Sequence, residues 1–216
     1  MTDSLGFYNP QCRLLVKRGI LMRLFESASE CIEQGMNIRF KEETRQYIND
    51  TSVIRTIPKA TIILRQGEIS KSLCYIVRGI MRGFYIDRDG NDITKCFTAE
   101  NDFVCTEGLR TGDCASFSVE SIEECICIFI PYETLLKSMQ KDSNVKQLYD
   151  VYSIKALCYF EKRERELLTK ESKERYLNFM REYGTIEKRV SQAHIAAYIG
   201  VRPSSLSRLR RSILSK

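Results

Sequence analysis

SQAHIAAYIGVRPSSLSRL, residues 191–209, has the pattern of two short helices joined by a tight turn. Ser191 is suited to cap the first helix, because its hydroxyl can accept a hydrogen bond from a free backbone N–H. Gly200 suits a left-handed turn after that helix, and Pro203 suits the first turn of the second, where no N–H is needed. The apolar side chains expected on the shared, buried face are Ile195, Ile199, Val201, Leu206 and Leu209. The stretch therefore predicts a helix-turn-helix.

The outward face of the second helix is rich in hydroxyl groups and arginines. Such side chains bind phosphates and base edges when a helix lies in the major groove of DNA. We expect His194 to be a polar residue on the surface of the first helix rather than a ligand. The predicted DNA-binding residues are Ser191, Gln192, Arg202, Pro203, Ser204, Ser205, Ser207, Arg208 and Arg211.

Positive charge is concentrated at the same end of the chain. The formal net charge is +6, from 34 Lys and Arg against 28 Asp and Glu. Residues 186–216 contain seven basic side chains and one acidic one, so this segment carries the whole surplus. A basic end beside a neutral body is typical of a protein that binds a polyanion. We expect double-stranded DNA as a partner, a solvated basic tail being the alternative.

The composition argues against an enzyme. The chain has 216 residues, of which 43% are hydrophobic, enough for one large domain or two small ones. The chain has nine cysteines, an odd number, and no CxxC motif. This pattern predicts free and mostly buried thiols. With one histidine, His194, few groups remain for a zinc site or a catalytic triad. We expect no catalysis, no metal and no cofactor.

Nothing in the sequence predicts a membrane protein. No apolar run approaches the ~20 residues of a membrane-spanning helix. Residues 1–18 lack the apolar stretch of a signal peptide. We therefore expect a cytoplasmic protein without membrane contact.

The middle of the chain alternates short β-branched runs with glycines. Gly67, Gly79 and Gly90 separate the runs, and Asp87 to Asn91 has the composition of a hairpin turn. Several short strands at this spacing predict an antiparallel sandwich or barrel, a β-roll like a jelly roll. The expected fold is α+β. Its expected parts are an N-terminal helical segment (1–50), the β-roll (51–135), a long helix with a hinge (136–168) and the helix-turn-helix domain (169–216).

The long helix carries two apolar stripes. A surface helix needs one stripe, so two predict that it is covered on both sides. We expect one side to pack on the β-roll and the other on a second copy of the chain. Residues 161–166 are expected to continue the helix in solvent. The predicted dimer interface comprises Val145, Tyr149, Tyr152, Ala156, Leu157, Tyr159 and Phe160.

Taken together, the order of elements resembles the Crp/Fnr family of bacterial transcription regulators over nearly the whole chain. The residues that carry this likeness are Gly67-Glu68, the strand ending at Gly79, the Asp87–Gly90 turn, Asp102-Phe103 and the block 191–211. The resemblance implies a homodimeric, sequence-specific DNA-binding protein whose two recognition helices enter successive major grooves, roughly 34 Å apart. It also implies a small-molecule effector, with RNA polymerase as a further candidate partner.

The segment similar to that family's phosphate cassette is degenerate. Asp113-Cys114 stands where cyclic-nucleotide-binding members have Arg-Ser, and a carboxylate there would repel a phosphate. We therefore do not expect cAMP to bind. The open alternatives are an unidentified small molecule, oxidation of Cys105 or Cys114 as a thiol-based redox signal, or no effector. The candidate effector-pocket residues are Thr106, Glu107, Arg110, Asp113 and Cys114.

Overall fold

The computed structural model describes residues 27–214. The helical positions predicted before residue 27 and the terminal Lys216 lie outside the described residues. Two helices begin the described part, α1 (Ala28–Met36) and α2 (Glu42–Thr51). Ser27 caps α1 by accepting from the backbone N–H of Glu30. Ile32 and Ile48 bury these helices against the sheet that follows.

Eight antiparallel strands form the β-roll as two four-stranded sheets. They are β1 (Val53–Ile57), β2 (Ile62–Leu64), β3 (Ser72–Arg78), β4 (Met81–Ile86), β5 (Asp92–Thr98), β6 (Asp102–Val104), β7 (Ser118–Ser121) and β8 (Cys125–Pro131). The strand orders are β1-β8-β3-β6 and β2-β7-β4-β5. Cys125 and Cys127 are fully buried between the sheets, because alternate residues of a strand point to the same face. The predicted α+β fold with an antiparallel β-roll is confirmed.

Two turns position the strands. Gly79 has a φ of +105°, and a Cβ there would lie 2.6 Å from the sulfur of Cys125, so only glycine fits. In the β4–β5 hairpin the carboxylate of Asp87 accepts from the backbone N–H groups of Asp89 and Asn91. Hydrogen bonds from Asn91 lower the pKa of Asp87. The predicted hairpin is therefore present.

Helices follow the sheets. A short helix, α3 (Glu107–Thr111), lies between β6 and β7, and α4 (Tyr132–Lys141) leads from β8 to the long helix α5 (Ser143–Thr169). Asp142 separates α4 from α5 and caps α5 through the N–H of Asn144. None of the described helices is both long and apolar enough to cross a membrane.

The last part of the described chain, which we call the C-terminal unit, contains three α-helices and a short 3-10 helix (Glu187–Arg189). The α-helices are α6 (Ser172–Tyr183), α7 (Gln192–Ile199) and α8 (Pro203–Leu214). Ser191 caps α7 by accepting from the N–H of His194 at 3.1 Å, and Gly200 ends it with a φ of 71°. Both roles are as predicted. Helix α5 continues through Thr169, and the chain bends at Lys170 and Glu171, just after the segment 136–168 in which the hinge was expected.

The C-terminal unit packs directly on the β-roll. One buried cluster joins Ile80, Phe97 and Ile122 of the β-roll to the core of the helix-turn-helix. The Phe97 ring lies 5.5 Å from that of Tyr198 and 6.0 Å from that of Phe179, centroid to centroid. We call this contact the docking interface.

Candidate nucleic-acid interface and effector cavity

Helix α8 presents one polar face to solvent. Leu206 is buried beneath it, whereas Ser204, Ser207, Arg208 and Arg211 are exposed. The 3.6-residue period of the helix places these four side chains away from Leu206. Of the other predicted DNA-binding residues, Ser205 is half-buried, Pro203 is exposed at the start of α8, and the residues exposed before α8 are Ser191, Gln192 and Arg202.

Two basic residues of the C-terminal segment are paired with carboxylates of the same chain. Arg189 forms ion pairs with Glu100, at 2.5 Å, and with Glu123. Burial lowers the pKa of Arg189, but its hydrogen bonds to these carboxylates outweigh burial and hold that pKa above its usual value. Arg210 pairs with Glu187 at 3.1 Å. The positive charge presented by this unit is therefore smaller than the sequence count, and it is centred on α8.

His194 does not lie on the open surface. It is half-buried against the β-roll, near Arg82 and the carboxylates of Asp92 and Glu120. Burial, and then the charge of Arg82, lower the pKa of His194. The expectation of a surface residue was wrong, because the side of α7 that carries His194 contacts strand β5.

Hydrogen bonds within residues 106–116, the segment similar to the phosphate cassette, engage its polar side chains. Both carboxylate oxygens of Glu107 are engaged by Ser116, at 2.9 Å from its N–H and 2.7 Å from its hydroxyl. The Arg110 guanidinium donates to the Thr106 hydroxyl at 2.8 Å. Asp113 is exposed, so a carboxylate occupies the surface of this loop. Glu107 is thus already partnered.

The two cysteines considered for redox sensing have different surroundings. Cys114 is exposed, but Cys105 is buried. Burial, and then the neighbouring Cys127, raise the pKa of Cys105 to about 12. Its thiol is protonated at neutral pH, and since the thiolate is the reactive form, Cys105 is unsuited to sensing.

Helix α5 shows which apolar stripe covers the β-roll. Most residues predicted for the dimer interface pack inside their own chain: Val145 is 2% exposed, and Tyr152 meets the Phe103 ring edge-on at 5.4 Å. Tyr159 shares hydrogen bonds with two tyrosines of the C-terminal unit. The residues from the predicted set that face the β-roll or the C-terminal unit are Val145, Tyr149, Tyr152, Ala156, Tyr159 and Phe160.

The other stripe of α5 is open. Val151, Ile154 and Leu157 are 40%, 62% and 59% exposed. Cys158 and Leu168 lie exposed further along the helix. Val151, Ile154, Cys158 and Leu168 follow the spacing of coiled-coil contact positions. We call Val151, Ile154, Leu157, Cys158 and Leu168 the exposed stripe. Leu157 is the one member of the predicted dimer interface that belongs to it.

The charged end of α5 is only partly in solvent. Arg163 is 8% exposed and its guanidinium lies over the ring of Tyr198. Glu166 is 4% exposed and accepts from the amide of Asn178 at 2.7 Å. The expectation of a fully solvated segment was wrong, because the C-terminal unit folds back onto this end of the helix.

A cavity of about 190 Å³ lies where the β-roll, α5 and the C-terminal unit meet. We call it the central cavity. The β-roll contributes Phe97 and Asp102, and α5 contributes Tyr152 and Ala156. The C-terminal unit contributes Glu182, Tyr183, Thr185 and Ile186. Of the predicted effector-pocket residues, Thr106 and Arg110 line the cavity, whereas Glu107, Asp113 and Cys114 do not.

Asp102 is the acidic group of this cavity that lacks a side-chain partner among the described residues. Its Oδ1 accepts from the N–H of Phe103 at 2.7 Å. Burial raises the pKa of Asp102 to about 6, although Phe103 and the nearby charge of Lys155 act in the opposite direction. The sequence marked Asp102 as part of a family likeness, but it gave no indication that this side chain lines a cavity.

Comparison with known proteins agrees with this architecture. Residues 54–142 match the model of a family described as the cyclic nucleotide-binding domain. The matched segment covers the β-roll and helix α4. None of the curated proteins compared with the chain matches it.

Solved structures are similar over most of the chain. FixK2 from Bradyrhizobium japonicum matches with a TM-score of 0.67 at 19% identity, over 76% of this chain and 85% of its own. CLP from Xanthomonas campestris matches with a TM-score of 0.67 at 19% identity, over 81% of this chain and 92% of its own. A protein from Eubacterium rectale ATCC 33656, described as a transcriptional regulator of the Crp/Fnr family, matches with a TM-score of 0.67 at 16% identity, over 82% of this chain and 84% of its own. The resemblance to the Crp/Fnr family is thus confirmed at the level of the fold.

Proposed function

We propose that this protein is a sequence-specific, DNA-binding transcription regulator that acts as a homodimer and responds to a small molecule other than cAMP. The observation that carries the proposal is the exposed face of α8, where hydroxyls and arginines surround a helix anchored by the buried Leu206. A helix held in this way fits the major groove, where arginine reads guanine and serine binds phosphates. CLP, one of the structural neighbours, is described as a c-di-GMP-responsive global regulator.

The exposed stripe of α5 supports the dimer. Apolar residues at this spacing and exposure form a surface that a soluble protein normally covers. A second copy of the same helix covers it symmetrically, because parallel helices pair identical positions along their seam. To bind as proposed, such a pair must hold two copies of α8 at the separation of successive major grooves.

Cys158 provides a direct test of that pairing. In a parallel pair the two Cys158 thiols face each other, and diamide would join them as a disulfide while it takes up the two hydrogens. We expect a covalent dimer on a non-reducing gel and none from Cys158→Ser, which leaves Cys114 as the exposed cysteine of the described residues. A dimer crosslinked only through Cys114 would contradict the proposed seam.

DNA binding is tested by selection of genomic fragments on the purified protein, followed by sequencing of the bound fraction. We expect enrichment of approximately palindromic sites at low ionic strength and weaker binding as salt rises. The matched control is Arg208→Ala. Recovery of all fragments in proportion to their input by the unaltered protein would overturn sequence-specific binding.

The redox alternative depends on Cys114, since Cys105 is buried. It predicts that oxidant changes DNA affinity and that Cys114→Ser removes the change. An affinity that is the same with and without reductant would eliminate it.

A further inference from the structure

The central cavity has the size of a single ring. Its volume is about 190 Å³. An apolar cavity of roughly 150 Å³ binds benzene, whereas drug-sized ligands occupy roughly 300–1,000 Å³. The cavity therefore suits one aromatic ring with a small substituent.

Its walls are aromatic. Phe103 and Tyr152 meet edge to face at 5.4 Å, and Phe97 and Tyr159 also line the space. Flat aromatic molecules pack well against such rings in offset or edge-to-face arrangements. The walls therefore favour an aromatic molecule over a sugar or a phosphate.

The polar end is defined by Asp102 and Lys155. One oxygen of Asp102 accepts from Phe103, and the other has no protein donor among the described residues. Lys155 lines the cavity close enough to lower the pKa of Asp102, and its Nζ lies 5.0 Å from the centre of the Tyr152 ring. A ligand that donates a hydrogen bond would satisfy Asp102. Asp102 and Lys155 contribute one charge of each sign to this end of the cavity. The other charged side chains of the lining are engaged elsewhere, Glu100 by Arg189, Glu182 by Lys162 and Arg110 by the Thr106 hydroxyl. The polar end therefore favours an uncharged ligand.

We propose that the central cavity binds an uncharged, one-ring aromatic molecule that carries a hydrogen-bond donor, and that this molecule stabilises the docking interface. Asp102 accepts from the donor, and the ring lies among Phe103, Tyr152 and the walls beside them. This inference names the effector class of the proposed regulator. Its second part, the effect of the ligand on the docking interface, has a regulatory meaning only if the proposed function holds.

The regulatory half follows from where the walls come from. Tyr183 and Ile186 belong to the C-terminal unit, whereas Phe97 and Asp102 belong to the β-roll. A molecule in the cavity touches both, so it binds the docked arrangement more tightly than one in which the C-terminal unit has moved away. Differential affinity of this kind shifts the population toward the docked form. The ligand thus acts on the DNA-binding unit of the same chain, without first changing the exposed stripe.

Binding is tested by calorimetry on the full chain with matched probes. Aniline and toluene have nearly the same shape, but only aniline donates a hydrogen bond; benzoate and benzylamine supply the two charges. We expect aniline to bind at least tenfold more tightly than toluene, and both charged probes to bind more weakly than aniline. Equal affinities for aniline and toluene would overturn the role of Asp102, and tighter binding of either ion would overturn the uncharged class.

Variants locate the site. Asp102→Asn keeps an acceptor for Phe103 but presents an amide donor to the cavity, so the preference for aniline should fall below threefold. Ala156→Phe should fill the cavity and abolish aniline binding, with Glu164→Phe as the control, since Glu164 is exposed on α5 outside both the cavity lining and the exposed stripe. Should Ala156→Phe fail to fold, Asp102→Asn still decides the question. Unchanged preference in Asp102→Asn would place the ligand elsewhere.

Hydrogen exchange separates the two halves of the proposal. Saturating aniline should slow amide exchange in residues 182–186 of the C-terminal unit as well as in β6. Protection in β6 alone would overturn the effect on docking. DNA binding is measured on the same samples without a probe, so a chain that binds aniline but no DNA refutes the proposed function, and one that binds DNA but no aniline refutes this inference.

Discussion

The guanidinium of Arg163, on the long helix, stacks on the ring of Tyr198, in the first helix of the helix-turn-helix, with 3.7 Å between Cζ and the ring centroid. Both residues are buried. Nε of Arg163 has no hydrogen-bond partner among the described residues, so the ring face is a main contact of this cation. The contact connects the helix that carries the exposed stripe to the unit that carries α8.

Replacing this cation should loosen the docking interface. Arg163→Ala removes a desolvated cation–π contact, a loss of roughly 1–2 kcal/mol. We expect trypsin to cleave the bend after Lys170 several-fold faster. Arg165→Ala is the control, since Arg165 is exposed on the same helix. Equal cleavage of both variants would show that the stacking does not hold the unit in place.

Charge on the exposed stripe should separate the proposed dimer. Ile154→Glu places a carboxylate in the seam, and we expect the dimer dissociation constant to rise more than tenfold, or about 1.4 kcal/mol. Glu164→Lys, also exposed, is the control. Tyr152→Glu should instead lower the thermal stability of the subunit, because Tyr152 packs on Phe103. Sedimentation that shows Ile154→Glu fully dimeric would refute this seam.

Arg208 and Arg211 should contribute to DNA binding in different ways. Arg208→Ala should lose roughly 1–3 kcal/mol and relax discrimination at one base pair, as expected for a base contact. Arg211→Ala should weaken binding to all sequences and reduce the salt dependence by about one phosphate contact. Anisotropy titrations at several salt concentrations measure both. Sequence-independent losses of equal size would refute the assignment of Arg208.

Calorimetry with cAMP should show no binding at millimolar concentration. Glu107 is engaged by Ser116, and a carboxylate stands at Asp113. The double variant Asp113→Arg with Cys114→Ser restores the pair that the family's cyclic-nucleotide-binding members have, and we expect it to gain measurable affinity. Micromolar binding by the unaltered chain would contradict this interpretation of the cassette.

Asp102 should make the protein less stable as pH rises through the acidic range. Its pKa is about 6 in the folded protein, against 3.8 for an unperturbed aspartate, so the folded state binds more protons between these values. The free energy of unfolding contributed by this group is therefore fully present below about pH 4 and falls, by up to about 3 kcal/mol, as pH rises from about 4 to about 6. Asp102→Asn should flatten that part of the profile in denaturant titrations. A profile identical to that of the unaltered chain would show Asp102 to be solvated.

Local patterns in the sequence were sufficient for much of the fold. The positions of Ser191, Gly200 and Pro203 predicted the helix-turn-helix, because capping, left-handed turns and missing N–H groups depend on neighbouring backbone alone. Alternation in a strand likewise predicted that Cys125 and Cys127 share a buried face. The three-residue strand β6 and the five-residue helix α3 escaped prediction, since each is too short to show a period.

The side of α5 that meets the β-roll depended on the tertiary structure. Its two apolar stripes are alike in composition, and periodicity does not distinguish an intramolecular partner from a second copy. Arg189 and His194 show the same dependence, since their partners lie about 70 to 110 positions earlier in the chain, in the β-roll. The central cavity arises only where three distant segments converge. Caps and turns depend on residues that are adjacent in the sequence, so the sequence alone predicts them. Burial, ion pairing and cavities depend on segments that meet only after the chain has folded.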